Sequence, residues 1–167
     1  SPFIDAKHPV RTGVECSHGK ASMSWTGWPV MVRRHLFGPV LSRRLGLSLG
    51  VDLVPYKTCS YDCAYCECGS DPMTTITRRV FFPAEEICAG LAAALGSRPH
   101  LDSITFAGSG EPTLSLSLGE VIAWIKRTYP EYPVSVLTNG SLLSDPGVRG
   151  ELLPADRVIP TLTTVCQ

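Results

Sequence analysis

Strand-like and helix-like segments alternate from Leu47 onward, and this alternation restricts the fold more than any other feature of the 167 residues. "LSLGVDLV" (Leu47 to Val54) is rich in β-formers and stops at Pro55, so it reads as a strand that feeds a loop. "PAEEICAGLAAAL" opens on Pro83 and early acids, as a helix N-terminus does. It places Ile87, Leu91, Ala94 and Leu95 on one face and closes at Gly96. "SITFAG" (Ser103 to Gly108) is a short buried strand. "LSLGEVIAWIKRTY" is a helix with Leu118, Val121, Ile122 and Ile125 inward. "VSVLTNG" is a third strand, "PGVRGELL" a short helix and "RVIPTL" a fourth strand. Strands alternating with helices pair in parallel through right-handed crossovers, so the expected class is α/β. Residues 1–35 show no sustained period and are read as an irregular extension, with Met31 a natural place for a start. Residues 36–167 are read as the core.

In parallel sheets, chemistry gathers in loops at the C-terminal ends of strands. Here those loops hold the least ordinary text: "PYKTCSYDCAYC" after the first strand, "GSGEPT" after the second and "TNGS" after the third. Cys59, Cys63 and Cys66 have C-x₃-C-x₂-C spacing, and Cys68 follows at once. Thiolates are soft ligands that select iron–sulfur clusters, zinc or copper(I). A structural zinc site usually draws a second ligand pair from elsewhere, and downstream only His100, Cys88 and Cys166 are available, none of them paired. Three thiolates on a four-iron cluster would leave one iron open. Cys88 lies beside the apolar stripe of its helix and reads as a structural thiol.

"GSGEPT" is a poor phosphate cradle. Thr113 stands where a dinucleotide fingerprint needs its last glycine, Glu111 would repel the anion, and Pro112 lacks a donor. A glycine turn that displays an acid suits a cation such as an ammonium group, or is simply a tight strand–helix turn. Asn139 in "TNG" is a common turn residue that would also reach a ligand on the rim. Arg43 and Arg44 are read as a solvated basic pair; the other reading sends one of them to the rim to bind an anion.

The composition sets limits. Fifteen basic and fifteen acidic side chains cancel, so no global field attracts nucleic acid or an anionic membrane. No apolar run is long enough to span a bilayer. "SPFIDAKHPVRTG" lacks the apolar core of a secretory signal, so the expected setting is cytoplasmic, where clustered cysteines bind metal or do redox chemistry.

The cysteine loop with Tyr65 before its last cysteine resembles the signature loop of the radical S-adenosylmethionine (SAM) superfamily. "FGPVLSRRLGLSLGVDLVPYKTCSYDCAYC", "ITFAGSGEPTL" and "VLTNGSLL" resemble an Fe–S oxidoreductase family within it, related to tRNA-wyosine synthesis enzymes. The resemblance implies a partial (β/α) barrel, here ending after about four strand–helix units. It implies a [4Fe–4S] cluster on Cys59, Cys63 and Cys66, and SAM contacted by Tyr65, Gly108, Gly110, Glu111 and Asn139. The implied reaction is reductive cleavage of SAM to a 5′-deoxyadenosyl radical that abstracts hydrogen from an unidentified substrate, a small molecule or RNA. The implied partner is an electron donor such as flavodoxin or ferredoxin. The alternative expectation is a non-catalytic iron–sulfur or zinc module, or an inactive remnant, because "PTLTTVCQ" departs from the family pattern and later strands are missing. Cys68 also departs from it, as a spare thiol or an adventitious fourth ligand.

Overall fold

Three short runs of β-branched and aromatic residues make the centre of the molecule, and each is followed by the helix that covers it. The computed structural model describes residues 35–69 and 73–161. Most of the N-terminal extension and Cys166 lie outside them. The strands are β1 (Leu36–Ser42), β2 (Gly46–Val51), β3 (Thr58–Cys59), β4 (Met73–Thr74), β5 (Ser103–Phe106), β6 (Val134–Thr138) and β7 (Arg157–Pro160). The helices are α1 (Ala84–Leu95), α2 (Leu118–Thr128) and α3 (Pro146–Leu152).

The main sheet has the order β1-β2-β5-β6-β7. Its last four strands pair in parallel, and β1 pairs antiparallel with β2. The protein is therefore α/β with a mostly parallel, mixed sheet. The four strands and three helices expected from the sequence are all present. A barrel is not: among the described residues the sheet is open, with β1 and β7 as its two edges.

The additional strand, β1, carries Gly38 and Pro39 at a bulge where the register to β2 shifts. A proline in mid-strand lacks a ladder donor and is tolerated on an edge or at a bulge, and here both apply. Phe37 lies over Gly50, where a Cβ would come within 2.2 Å of the ring.

One face of the sheet is apolar. Leu49, Val51, Ile104, Phe106, Val134 and Val136 pack with Ile87, Leu91 and Leu95 of α1 and with Leu118, Val121, Ile122 and Ile125 of α2. Burying each such side chain contributes about 1.5–3 kcal/mol. In α1 the glycine expected to end the helix keeps right-handed dihedrals, and the left-handed residue is Arg98 (φ 48°). In α3, Asp145 caps the first turn by accepting from the Gly147 amide at 2.7 Å, with Pro146 just inside.

The opposite face differs. Alternation along β2, β5 and β6 puts Ser48, Ser103, Thr105 and Ser135 there, all buried. Their hydroxyls satisfy one another: Ser48 to Thr105 at 2.5 Å and Ser103 to Ser135 at 3.0 Å. A parallel sheet usually reads as apolar on both faces; this one is apolar toward its helices and hydroxylated on the other side. Among the described residues no helix is long and apolar enough to cross a membrane.

Candidate functional site

The chain leaves β2 at Val51 and reaches β3 in seven residues. The loop is held down by backbone bonds to the glycine turn after β5: Lys57 N–H donates to Ser109 C=O at 2.7 Å, and Glu111 N–H donates to Thr58 C=O at 3.0 Å. That approach explains Gly110, because a Cβ there would lie 1.9 Å from the Thr58 carbonyl oxygen. Gly108 sits at φ +133°, a conformation that only glycine adopts readily, and its neighbour Ser109 donates to Asp52 Oδ2 at 2.9 Å. The two glycines singled out by sequence are thus the ones the turn requires.

The sequence offers Glu111 either as an acid displayed to a cation or as part of a tight strand–helix turn. The structure buries it to 2 % exposure and surrounds it with donors. Oε1 accepts from the Thr113 amide at 3.1 Å, the Thr113 hydroxyl at 2.6 Å and the Thr138 hydroxyl at 2.6 Å. Oε2 accepts from the Asn139 amide at 2.7 Å. A carboxylate accepts and does not donate, so one side chain binds the turn after β5 to the turn after β6. Its role in the described arrangement is to position both loops.

Asn139 continues the connection. Its Nδ2 donates to Ser60 Oγ at 2.8 Å and to the sulfur of Cys59 at 3.5 Å, while its Oδ1 accepts from the Ser141 amide at 2.9 Å. The hydroxyls of Ser60 and Ser141 are 2.6 Å apart. Three segments that sequence placed on one rim therefore do meet, through Cys59, Glu111 and Asn139. Ser60, Ser141, Thr113 and Thr138 belong to the same network. Sequence reading passed over Ser60 and Ser141, since nothing in a serine announces a partner 81 positions away.

Cys63 and Cys66 lie in a turn closed by the Cys66 amide on the Cys63 carbonyl at 2.9 Å. Cys66 is exposed, and Cys63 and Cys68 are half-buried. Among the described residues no three His, Cys, Asp or Glu side chains converge to hold a metal ion. The expected three-thiolate group is not seen among the described residues, and no chemical step is routed through it. Tyr65 is 60 % exposed.

Arg43 and Arg44 are exposed in the β1–β2 turn, at the N-terminal end of β2 and so away from the rim. They fit the solvated pair. His100 is exposed too, beside a groove of about 490 Å³ with Arg98 and Tyr132 in its wall, ahead of β5. Cys88 packs half-buried against the core, as expected; burial, followed by the charges of Glu120 and Glu85, pushes its thiol up to about 11.

Fold and site together define an α/β protein with a thiol-bearing polar rim at the C-terminal ends of its parallel strands. No protein-family model matches the chain. It is 40% identical over 124 residues to a UPF0026 protein of Methanocaldococcus jannaschii, an alignment covering 73% of this chain and 38% of that protein. It is 41% identical over 124 residues to a UPF0026 protein of Synechocystis, covering 74% of this chain and 46% of the relative. It is also 48% identical over 129 residues to a GTPase Obg of Brachyspira hyodysenteriae, covering 77% of this chain but 19% of that protein. The chain spans less than half the length of each of these relatives.

These likenesses correct the sequence-based expectation. The Methanocaldococcus and Synechocystis relatives are named UPF0026 proteins, and nothing in those names indicates radical SAM chemistry. With no metal-holding group among the described residues, the radical SAM assignment and its iron–sulfur and SAM-cleaving activity are set aside. The alternative of a non-catalytic iron–sulfur or zinc module has no support either.

Proposed function

We propose that the rim is the small-molecule site of an enzyme, with the sulfur of Cys59 presented to the occupant and Ser60, Asn139 and Ser141 orienting it. One observation carries this reading. The Asn139 amide donates to Cys59 and Ser60 at once, bringing the cysteine loop to the ends of β5 and β6. Open α/β sheets take ligands at that edge, in sites where a few convergent polar groups fix orientation. Cys63, Tyr65 and Cys66 would contribute only after their turn closes on the rim. A cytoplasmic setting belongs to the same proposal, because free thiols at this density persist in a reducing compartment.

The GTPase name of the Brachyspira relative describes that longer protein. The present sequence contains no G-x-x-x-x-G-K-[ST] segment, and its glycine turn places the Glu111 carboxylate where a phosphate would need donors. Guanine nucleotide is accordingly not the occupant proposed.

The test is a screen of small polar metabolites against isotope-labelled protein by two-dimensional NMR. Binders are expected to shift the amides of Ser60, Asn139 and Ser141, and the Asn139→Ala variant should lose those shifts while keeping the rest of its spectrum. Binders that instead shift Arg98, His100 and Tyr132 would move the site to the opposite end of the sheet and overturn the proposal.

A further inference from the structure

Asn139 is the sole asparagine of the chain, and glycine follows it. Asparagine before glycine is prone to cyclise, because a neighbour without a Cβ leaves its nitrogen open to the side-chain carbon. Gly140 sits at φ +80°, and beyond its chain neighbours a Cβ there would meet nothing nearer than 3.8 Å. The closed rim nevertheless holds every reacting atom. The Gly140 amide donates to Thr138 Oγ1 at 3.0 Å, Asn139 Oδ1 accepts from the Ser141 amide at 2.9 Å, and Nδ2 donates to Ser60 Oγ at 2.8 Å. With both of its substituents held, Asn139 Cγ cannot advance on the Gly140 nitrogen, whose own proton is engaged. The contacts that prevent the reaction are thus the ones that join the cysteine loop to the end of β6. Asn139 and Gly140 are half-buried, so water reaches them once those contacts open.

We infer that Asn139–Gly140 is a self-modification site, closed while the hydrogen bonds of the rim hold and opened when the cysteine loop lifts. The Gly140 nitrogen then attacks Asn139 Cγ. The new N–C bond forms, the nitrogen's proton passes through solvent to the side-chain amide, and the Cγ–Nδ2 bond breaks to release ammonia. Water adds to either carbonyl of the resulting succinimide, and ring opening gives aspartate or isoaspartate. Nothing is oxidised or reduced; one water is taken up and one ammonia leaves. Isoaspartate carries the main chain through the side-chain carbon at residue 139. That displaces the amide that Glu111 Oε2 accepts at 2.7 Å, and either product lacks the Nδ2 donor that holds Ser60. The change is hydrolytic and does not reverse, so a loop that has opened and been modified stays released. The inference needs only the junction at Asn139 and holds with or without an occupant on the rim.

The sequence makes the assay direct, because trypsin releases Thr128 to Arg149 as one peptide in which Asn139 is the sole side-chain amide. Full-length protein is incubated at neutral pH, either folded or unfolded in urea, then digested. Asparagine, aspartate and isoaspartate forms of the peptide are separated by liquid chromatography and identified by mass spectrometry. The folded protein should convert more slowly than the unfolded chain by about tenfold or more, since several hydrogen bonds must open first. A smaller difference would overturn the inference. Ser60→Ala, with its fold checked by circular dichroism, should convert faster than folded wild type. Wild type held in urea below its unfolding transition repeats that comparison without a substitution and should also speed up. A folded rate that neither change raises would contradict the claim that the rim guards the site. In two-dimensional NMR the isoaspartate protein should show displaced Cys59 and Ser60 amides; signals left at their native positions would mean that modification does not release the loop.

Discussion

Replacing Glu111 by glutamine keeps the shape of the side chain and reverses half of its hydrogen bonding. The native carboxylate accepts four donors, two of them backbone amides, from Thr113 and Asn139, that cannot turn away. An amide has one oxygen for these and must point its NH₂ at the rest. If the NH₂ takes the Oε2 position it faces the Asn139 N–H; in the Oε1 position it faces the Thr113 N–H. A lost hydrogen bond to a charged group is worth about 1.5–3 kcal/mol, and a donor left buried and unsatisfied costs about 1–3 kcal/mol. At 2 % exposure water cannot repair the defect. The terms overlap, so Glu111→Gln is expected to destabilise the protein by about 2–4 kcal/mol. Glu111→Ala, which strands all four donors and opens a void, should cost at least as much. Urea unfolding followed by circular dichroism gives the free energies, and amide hydrogen exchange shows where they act. The Asn139 and Thr113 amides should lose protection in Glu111→Gln beyond the global change. A cost below about 0.5 kcal/mol, the range of ordinary surface substitutions, with Asn139 exchange unchanged, would refute the claim that this carboxylate joins the two turns.

Other consequences follow from particular contacts. Burial raises the Asp156 carboxyl, but the Lys126 ammonium at 2.8 Å and the Val134 amide at 2.7 Å outweigh it and hold it below its ordinary value. A depressed carboxyl stabilises the fold above its unfolded pKa and loses that contribution as pH falls through its folded one. Wild-type stability should thus decline below about pH 4, and Asp156→Asn should flatten that acid limb; an unchanged limb would assign it to other groups. Cys88, raised from 9.0 to about 11, should hold on the order of a hundredfold less thiolate at pH 8 than an unshifted cysteine. Iodoacetamide should therefore label it long after the exposed Cys66; equal rates would contradict its packing.

The sheet and helices were legible because their apolar periods are regular: Leu118, Val121, Ile122 and Ile125 point inward as their spacing requires. β1 escaped because Gly38 and Pro39 interrupt it, and only pairing with β2 makes those residues a strand. The rim was legible from topology, since loops after successive parallel strands must share an edge. What each rim residue does there was less so. Glu111 looked like a displayed acid because its donors, the hydroxyls of Thr113 and Thr138 and the Asn139 amide, converge only once the chain has folded. The cysteine spacing suggested three convergent thiols, but spacing leaves the direction of each side chain open, and among the described residues no such group is seen.

The central claim is that Asn139 joins the cysteine loop to the end of the parallel sheet. A double-mutant cycle of Ser60→Ala and Asn139→Ala, measured by urea unfolding, tests it most directly, because the cycle cancels the separate bond between Ser60 and Ser141. The 2.8 Å contact from Asn139 Nδ2 to Ser60 Oγ predicts a coupling of about 0.5–1.5 kcal/mol. Strictly additive effects, within about 0.3 kcal/mol, would mean that the loop and the turn are neighbours without being joined.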